Sequence, residues 1–194
     1  GFVIGPNTIV EGIESLTPGE VRVVEGATAS SRQYWHIPRP TDPVPEAELR
    51  DVLLESVKLH LVSDVPLGIF LSGGIDSSAV ANLAQRASGT PVHTFTLAFE
   101  ESQYDESRFS RDIAKAIGTI HREIVLTEQQ FASALDHAVD TIDQPTFDGL
   151  NSYFVSKAVR EAGLTVALAG TGGDELFGGY PTFHMLPTMR SWAR

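Results

Sequence analysis

Between residues 65 and 180, short apolar runs alternate with segments of helical period, and two of the runs open directly into glycine-rich loops. This alternation is accommodated by a parallel sheet with helices on its faces, because parallel neighbours need a long crossover connection. Val65–Leu71 reads as a buried strand ending at Ser72-Gly73-Gly74. Asp76–Ala87 reads as a helix with Ala79, Val80, Leu83 and Ala87 inward and Gly89 as its C-cap. Val92–Phe99, His121–Leu126 and Thr165–Ala169 read as the other strands. Between them lie a helix over Glu106–Ile117, with Phe109, Ile113 and Ile117 inward, and one over Asn151–Ala162 closed by Gly163. A further helix opens at Thr127, where Thr-x-x-Gln to Gln130 spells a capping box, and buries Phe131, Leu135, Ala138, Val139 and Ile142. The fold class expected is α/β.

Residues 1–45 read differently, as a β-hairpin around Val21–Val24 followed by a proline-rich linker. From Glu46 the spacing of Leu49, Val52, Leu53, Val57 and Leu61 predicts one buried helix face. The expected division is therefore 1–45 and 46–194. The chain starts at Gly1 and stops at Arg194 without a terminating feature, so a piece of a longer protein is expected. Twenty-five acidic against 14 basic residues give a net charge of -11, which disfavours nucleic acid and anionic membranes as partners. The absence of cysteine excludes disulfides, thiolate metal sites and a cysteine nucleophile within these 194 residues. No apolar run approaches the ~18 residues of a membrane span and no signal-peptide pattern opens the chain, so a cytoplasmic protein is expected.

The chemistry concentrates in the two loops. In Ser72-Gly73-Gly74-Ile75-Asp76-Ser77-Ser78 the glycines allow close backbone approach, three hydroxyls stand nearby, and the next helix begins with free N–H groups. Such a turn after a parallel strand is an anion cradle. Asp76 would repel bound phosphates unless a divalent cation lay between, so nucleotide and Mg2+ are expected together. The Walker pattern and G-x-G-x-x-G are both absent. Gly170-Thr171-Gly172-Gly173-Asp174-Glu175-Leu176-Phe177-Gly178-Gly179-Tyr180 packs five glycines around two carboxylates, which predicts a close-approach loop rather than a helix. If both loops leave one sheet edge, Asp76 and Asp174 share a Mg2+.

The first motif resembles the pyrophosphate-binding loop of PP-loop ATP pyrophosphatases. Together with Gly172-Gly173-Asp174-Glu175-Leu176-Phe177-Gly178-Gly179-Tyr180 it resembles the synthetase domain of the glutamine-hydrolysing asparagine synthetase family. Glu11-Gly12-Ile13, Leu16, Pro18-Gly19 and Tyr34-Trp35 resemble the tail of that family's N-terminal glutaminase domain and its linker. The resemblance implies a PP-loop, adenine-nucleotide hydrolase-like sheet and a ligase of asparagine biosynthesis. In such enzymes aspartate attacks the α-phosphorus of ATP, β-aspartyl-AMP forms with loss of pyrophosphate, and ammonia from glutamine then displaces AMP. By the same resemblance Leu71 and Leu97 hold the adenosine, with Ala169 and Gly170 beside the nucleotide. Ser72, Gly73, Gly74, Ser77 and Ser78 grip pyrophosphate, Asp76 and Asp174 bind Mg2+, and Glu175 joins them as a catalytic carboxylate. The partners implied are small molecules and a glutaminase domain in the same full-length chain, with a homodimer as the assembly it allows.

Two departures from the family pattern bear on substrate. Ala169-Gly170-Thr171 stands where the family often has Ser-Gly-Asp or Ser-Gly-Glu, and Lys58, Lys115 and Lys157 all fall in predicted helices outside the loops. A ligase acting on another carboxylate, or a module that binds ATP without turnover, therefore stays open as an alternative. The six histidines lack metal-ligand spacing, Asp143 and Asp148 flank Pro145 in a loop expected to cap a helix, with a place near the amino-acid substrate as the alternative, and Glu100, Glu101, Asp105 and Glu106 form an acidic run.

Overall fold

The computed structural model describes residues 3, 5–38, 43–99, 107–143, 146 and 148–185. The acidic run at 100–106 and Pro145 lie outside the described residues. Two compact units are present, Gly1–Val44 and Pro45–Arg194.

The first unit is built on an antiparallel hairpin of β1 (Glu20–Glu25) and β2 (Thr28–Gln33), paired from Glu20 opposite Gln33 to Glu25 opposite Thr28. Its entry is clasped by Glu20, whose Oε2 accepts from the Thr17 amide (3.1 Å) and the Thr17 hydroxyl (2.8 Å). The Thr17 amide first, then the Ser31 and Thr17 hydroxyls, hold the Glu20 carboxyl down at about 2 from an ordinary 4.5.

The second unit runs α1 (Glu46–His60), β3 (Leu67–Phe70), α2 (Ile75–Ala87), β4 (His93–Phe99), α3 (Ser107–Ile117), β5 (Ile120–Leu126), α4 (Glu128–Thr141), α5 (Gly149–Glu161), β6 (Val166–Leu168) and α6 (Gly173–Phe177). The four strands form one parallel sheet in the order β5-β4-β3-β6. The chain winds outward from β3 to β5 and then returns to place β6 on the other side of β3. The winding direction therefore reverses between β3 and β6, where open α/β sheets form a crevice at the strands' carboxyl ends.

Helices cover both faces. On one face Ile69 and Leu71 pack with Ala81, Ala84 and Ala114, flanked by Val57, Leu61, Ile113 and Ile117. On the other, Phe95 packs with Val159 and Leu164, while Phe154 stacks on Phe131 at 4.7 Å beside Ala134 and Ala138. Small residues at the helix-facing positions let the helices lie close to the sheet. The capping box is present: Thr127 Oγ1 accepts from the Gln130 amide at 3.1 Å, and Gln130 Oε1 accepts from the Thr127 amide at 3.0 Å.

Four expectations are corrected. No residue of α1 is buried: Leu49 and Val52 are exposed, and contact with the core is confined to Val57 and Leu61. Ala79, Phe109 and Val139, expected inward, are also exposed; on α2 it is Ala81 and Ala84 that are buried. Gly89 does not cap α2; the helix ends at an extended Ser88, and Gln85 instead holds the turn through the Val92 amide (3.0 Å) and the Thr90 carbonyl (3.4 Å). The second glycine-rich segment contains a helix after all, the five-residue α6. Left-handed Gly172 (φ 94) and Gly178 (φ 71) bound it, so these glycines start and stop the turn instead of weakening its interior.

Candidate active site

A cavity of about 1030 Å³ opens at the carboxyl ends of β3, β4 and β6. It is walled by the loop after β3, the start of α2, the end of β4, the first turns of α5 and the loop after β6. Among the residues expected at the site, Leu71, Ser72, Gly74, Asp76, Ser77, Leu97, Ala169, Gly170 and Asp174 all line it.

The two glycine loops meet because β3 and β6 are hydrogen-bonded neighbours, paired at Leu67–Val166, Gly68–Ala167 and Ile69–Leu168. At Gly170 the second loop touches the first turn of α2: a Cβ there would stand 2.9 Å from the Ser77 nitrogen and 3.0 Å from the Asp76 carbonyl carbon. At Gly173 a Cβ would run into the Asp76 carboxylate itself. Both glycines are thus required by close approach, and through them Asp76 lies against the loop that carries Asp174.

Helix α2 begins at Gly74 without a side-chain cap, so its first-turn N–H groups are left for a ligand at the cavity wall. The serines are arranged around that turn. Ser77 Oγ accepts from the Ser72 amide (3.2 Å), lies 3.0 Å from Ser72 Oγ and donates to the Gly74 carbonyl (3.1 Å). Ser78 also donates to the Gly74 carbonyl, at 2.6 Å.

Three expected residues fall elsewhere. Gly73 and Ser78 face a second hollow of about 810 Å³ between α2 and α3, lined also by Asn82 and Ile113. Glu175 is not in the cavity wall; its Oε1 accepts from the Tyr180 hydroxyl at 2.8 Å, and that bond raises the phenol's pKa above 10.0.

The cavity also contains residues outside the two glycine loops, among them Asp148, which was expected to cap a helix. Asp148, at the N-cap position of α5, makes no cap to the backbone; its two oxygens accept from Asn151 Nδ2 (3.0 Å) and Ser152 Oγ (3.1 Å), and all three residues line the cavity. Their spacing at i, i+3 and i+4 places them on one helix face, a signal present in the sequence. Thr96 lines the cavity too and carries no sequence signal beyond strand alternation.

The lining includes three carboxylates, Asp76, Asp148 and Asp174, and among the described residues no Lys, Arg or His. Lys58 and Lys157 pair instead with Glu55 (3.7 Å) and Glu161 (4.0 Å) on their own helices. No cluster of three metal-ligating side chains occurs among the described residues. Mg2+ takes one or two protein carboxylates and fills its remaining positions with phosphate and water oxygens. Asp76 and Asp174, both in the lining, have the donor chemistry for that role. No described helix is long and apolar enough to cross a membrane.

Comparison with known proteins agrees with this geometry. Residues 48–194 match the family model for asparagine synthase. The chain is 36% identical over 149 residues to asparagine synthetase (glutamine-hydrolyzing) 1 of Bacillus subtilis (strain 168), covering 76% of this chain and 23% of that protein. It is 31% identical over 191 residues to the putative asparagine synthetase (glutamine-hydrolyzing) 2 of Methanocaldococcus jannaschii, covering 94% of this chain and 37% of that one. The chain thus spans well under half the length of these curated relatives. NMN synthetase from Francisella tularensis shares the fold, with a TM-score of 0.50 at 18% identity over 73% of this chain and 61% of the other. A doubly covered parallel sheet, two glycine loops converging at its switch point and a family match running through both loops together place the chain in the asparagine synthase family.

Proposed function

We propose that this chain is the ATP-handling part of a ligase that amidates aspartate to asparagine. The observation that carries the reading is the convergence of the two loops, with the Asp76 carboxylate against Gly173 and the uncapped start of α2 in the same wall. In this reading the pyrophosphate portion of ATP lies on the first-turn N–H groups of α2 and the hydroxyls of Ser72 and Ser77. The adenosine lies against Leu71, Leu97, Ala169 and Gly170, which also line the cavity. Mg2+ held by Asp76 and Asp174 would neutralise charge on the leaving pyrophosphate.

The aspartate side-chain carboxylate attacks the α-phosphorus, a new P–O bond forms, and the bond to pyrophosphate breaks. Ammonia then adds to the acyl carbon of β-aspartyl-AMP, loses a proton, and AMP departs with the acyl C–O bond. The chain's own contribution is positioning and dipole stabilisation: backbone N–H groups and hydroxyls fixed before the reaction hold the phosphates in line. The relatives' designation as glutamine-hydrolyzing makes a glutaminase domain of a longer chain the proposed ammonia source.

The test supplies Mg-ATP, ammonium and a panel of carboxylic acids to the protein and follows AMP, pyrophosphate and amide by mass spectrometry. AMP and asparagine appearing only with aspartate support the proposal. AMP appearing only with another acid replaces the acceptor, which Thr171 in the cavity wall would then help explain. ATP bound without conversion favours the binding module, in line with a described lining that holds no cation.

A further inference from the structure

The adenosine end of the cavity is shaped by an interruption in the sheet. Strands β3 and β4 pair in register through Phe70 and Phe95, and one further ladder bond runs from the Leu71 amide to the Phe95 carbonyl at 2.8 Å. In a parallel ladder the carbonyl of Leu71 would next accept from the amide of Leu97. Instead the hydroxyl of Thr96 donates to that carbonyl. Thr96 is only 4% exposed and lines the cavity. Alternation along β4 points the amide and carbonyl of Leu97 to the same side as those of Phe95, towards the position β3 has vacated.

We propose that Thr96 is a positioning residue for the adenine base. Its hydroxyl satisfies the Leu71 carbonyl from within the sheet, which stops the ladder one step early and leaves the Leu97 backbone edge for a planar heterocycle bearing a donor and an acceptor. The inference rests on the ATP reading above and adds a residue that contacts no reacting atom.

The test compares the wild-type chain with Thr96→Val and Thr96→Ser, titrating ATP and inorganic pyrophosphate separately in the presence of Mg2+ by calorimetry. Thr96→Val keeps the shape and removes the donor, leaving the Leu71 carbonyl to draw the Leu97 amide back into the ladder. ATP affinity is expected to fall about tenfold in Thr96→Val, with pyrophosphate affinity unchanged and Thr96→Ser restoring ATP binding. A purely structural role would weaken both ligands together and overturn the proposal, as would equal ATP affinity in all three proteins. Pyrophosphate bound by the wild type without any preference for ATP would overturn the nucleotide reading itself and this inference with it.

Discussion

Substituting Gly170 by alanine tests whether contact between the two loops builds the site. The added methyl would lie 2.9 Å from the Ser77 nitrogen and 3.0 Å from both the Asp76 carbonyl carbon and Asp76 Cβ. Ordinary contact starts at 3.4 Å, so the loop and the start of α2 must part by about half an ångström. Two of the three atoms are helix backbone and cannot rotate aside. Gly170 is not in the left-handed region, so alanine brings steric pressure without backbone strain. Overpacking of this kind costs about 1–3 kcal/mol. The displaced atoms belong to the proposed anion cradle, so ATP affinity should fall together with stability. Gly89→Ala is the control: nothing lies within 4 Å of its Cβ, and the change should be neutral or stabilising by about 0.4–1 kcal/mol. Urea unfolding and calorimetric titration of Mg-ATP read both effects. Wild-type stability and affinity in Gly170→Ala would refute the idea that this contact sets the geometry.

Asp76→Asn should lower Mg-dependent ATP affinity about tenfold or more, with stability maintained; unchanged affinity by calorimetry would remove Asp76 from the metal site. Lys157→Ala removes an exposed pair to Glu161 on α5 and should leave ATP affinity at the wild-type value, whereas a large loss would show that the cavity has been assigned to the wrong part of the sheet. His121 packs its Nδ1 2.9 Å from Thr94 Oγ1, its Nε2 is buried without a partner, and burial pulls its pKa below 6.5, opposed by Glu123 and assisted by Arg111. The unfolded chain therefore takes up a proton at higher pH than the folded one. Stability from the neutral ring is complete above pH 6.5 and declines as pH falls towards the folded-state pKa, so urea midpoints should drop in that window for wild type and stay flatter for His121→Asn.

The features legible in the sequence are those determined by residues close together in the chain. The Thr127–Gln130 capping box spans three positions and forms as expected. Both glycine loops are recognisable because each joins an apolar strand to polar residues within a few positions. Periodicity shows which residues share a helix face and is silent on whether anything covers it: Val52 at 60% exposure and Phe109 at 65% obey the helical period and still face outward. Counting glycines misjudged α6 because their places around Asp174-Glu175-Leu176-Phe177, and not their number, decide the outcome. Thr96 was invisible because its role depends on where a neighbouring strand stops, a fact of register between chain segments twenty-five residues apart.

The cavity's electrostatics explain why the two loops belong to one site. A polyphosphate entering a space walled by Asp76, Asp148 and Asp174 meets like charges, and the described lining answers only with neutral donors: backbone N–H groups, hydroxyls and the Asn151 amide. The loop's hydroxyls in the lining already bond within the loop, Ser77 with Ser72 and with the Gly74 carbonyl. Giving one of them to a phosphate exchanges one hydrogen bond for another, which yields little net free energy. The uncapped amides of α2 gain more, because no side chain in the loop satisfies them. They still do not offset three carboxylates. In the proposed reading, charge balance calls for a divalent cation to arrive with the nucleotide, and the residues that would repel the free polyphosphate, Asp76 and Asp174, are the ones that would hold that cation. On that reading, selection of Mg-ATP over ATP would follow from the same two side chains, a physical reason for a nucleotide site to carry aspartates in both of its glycine loops.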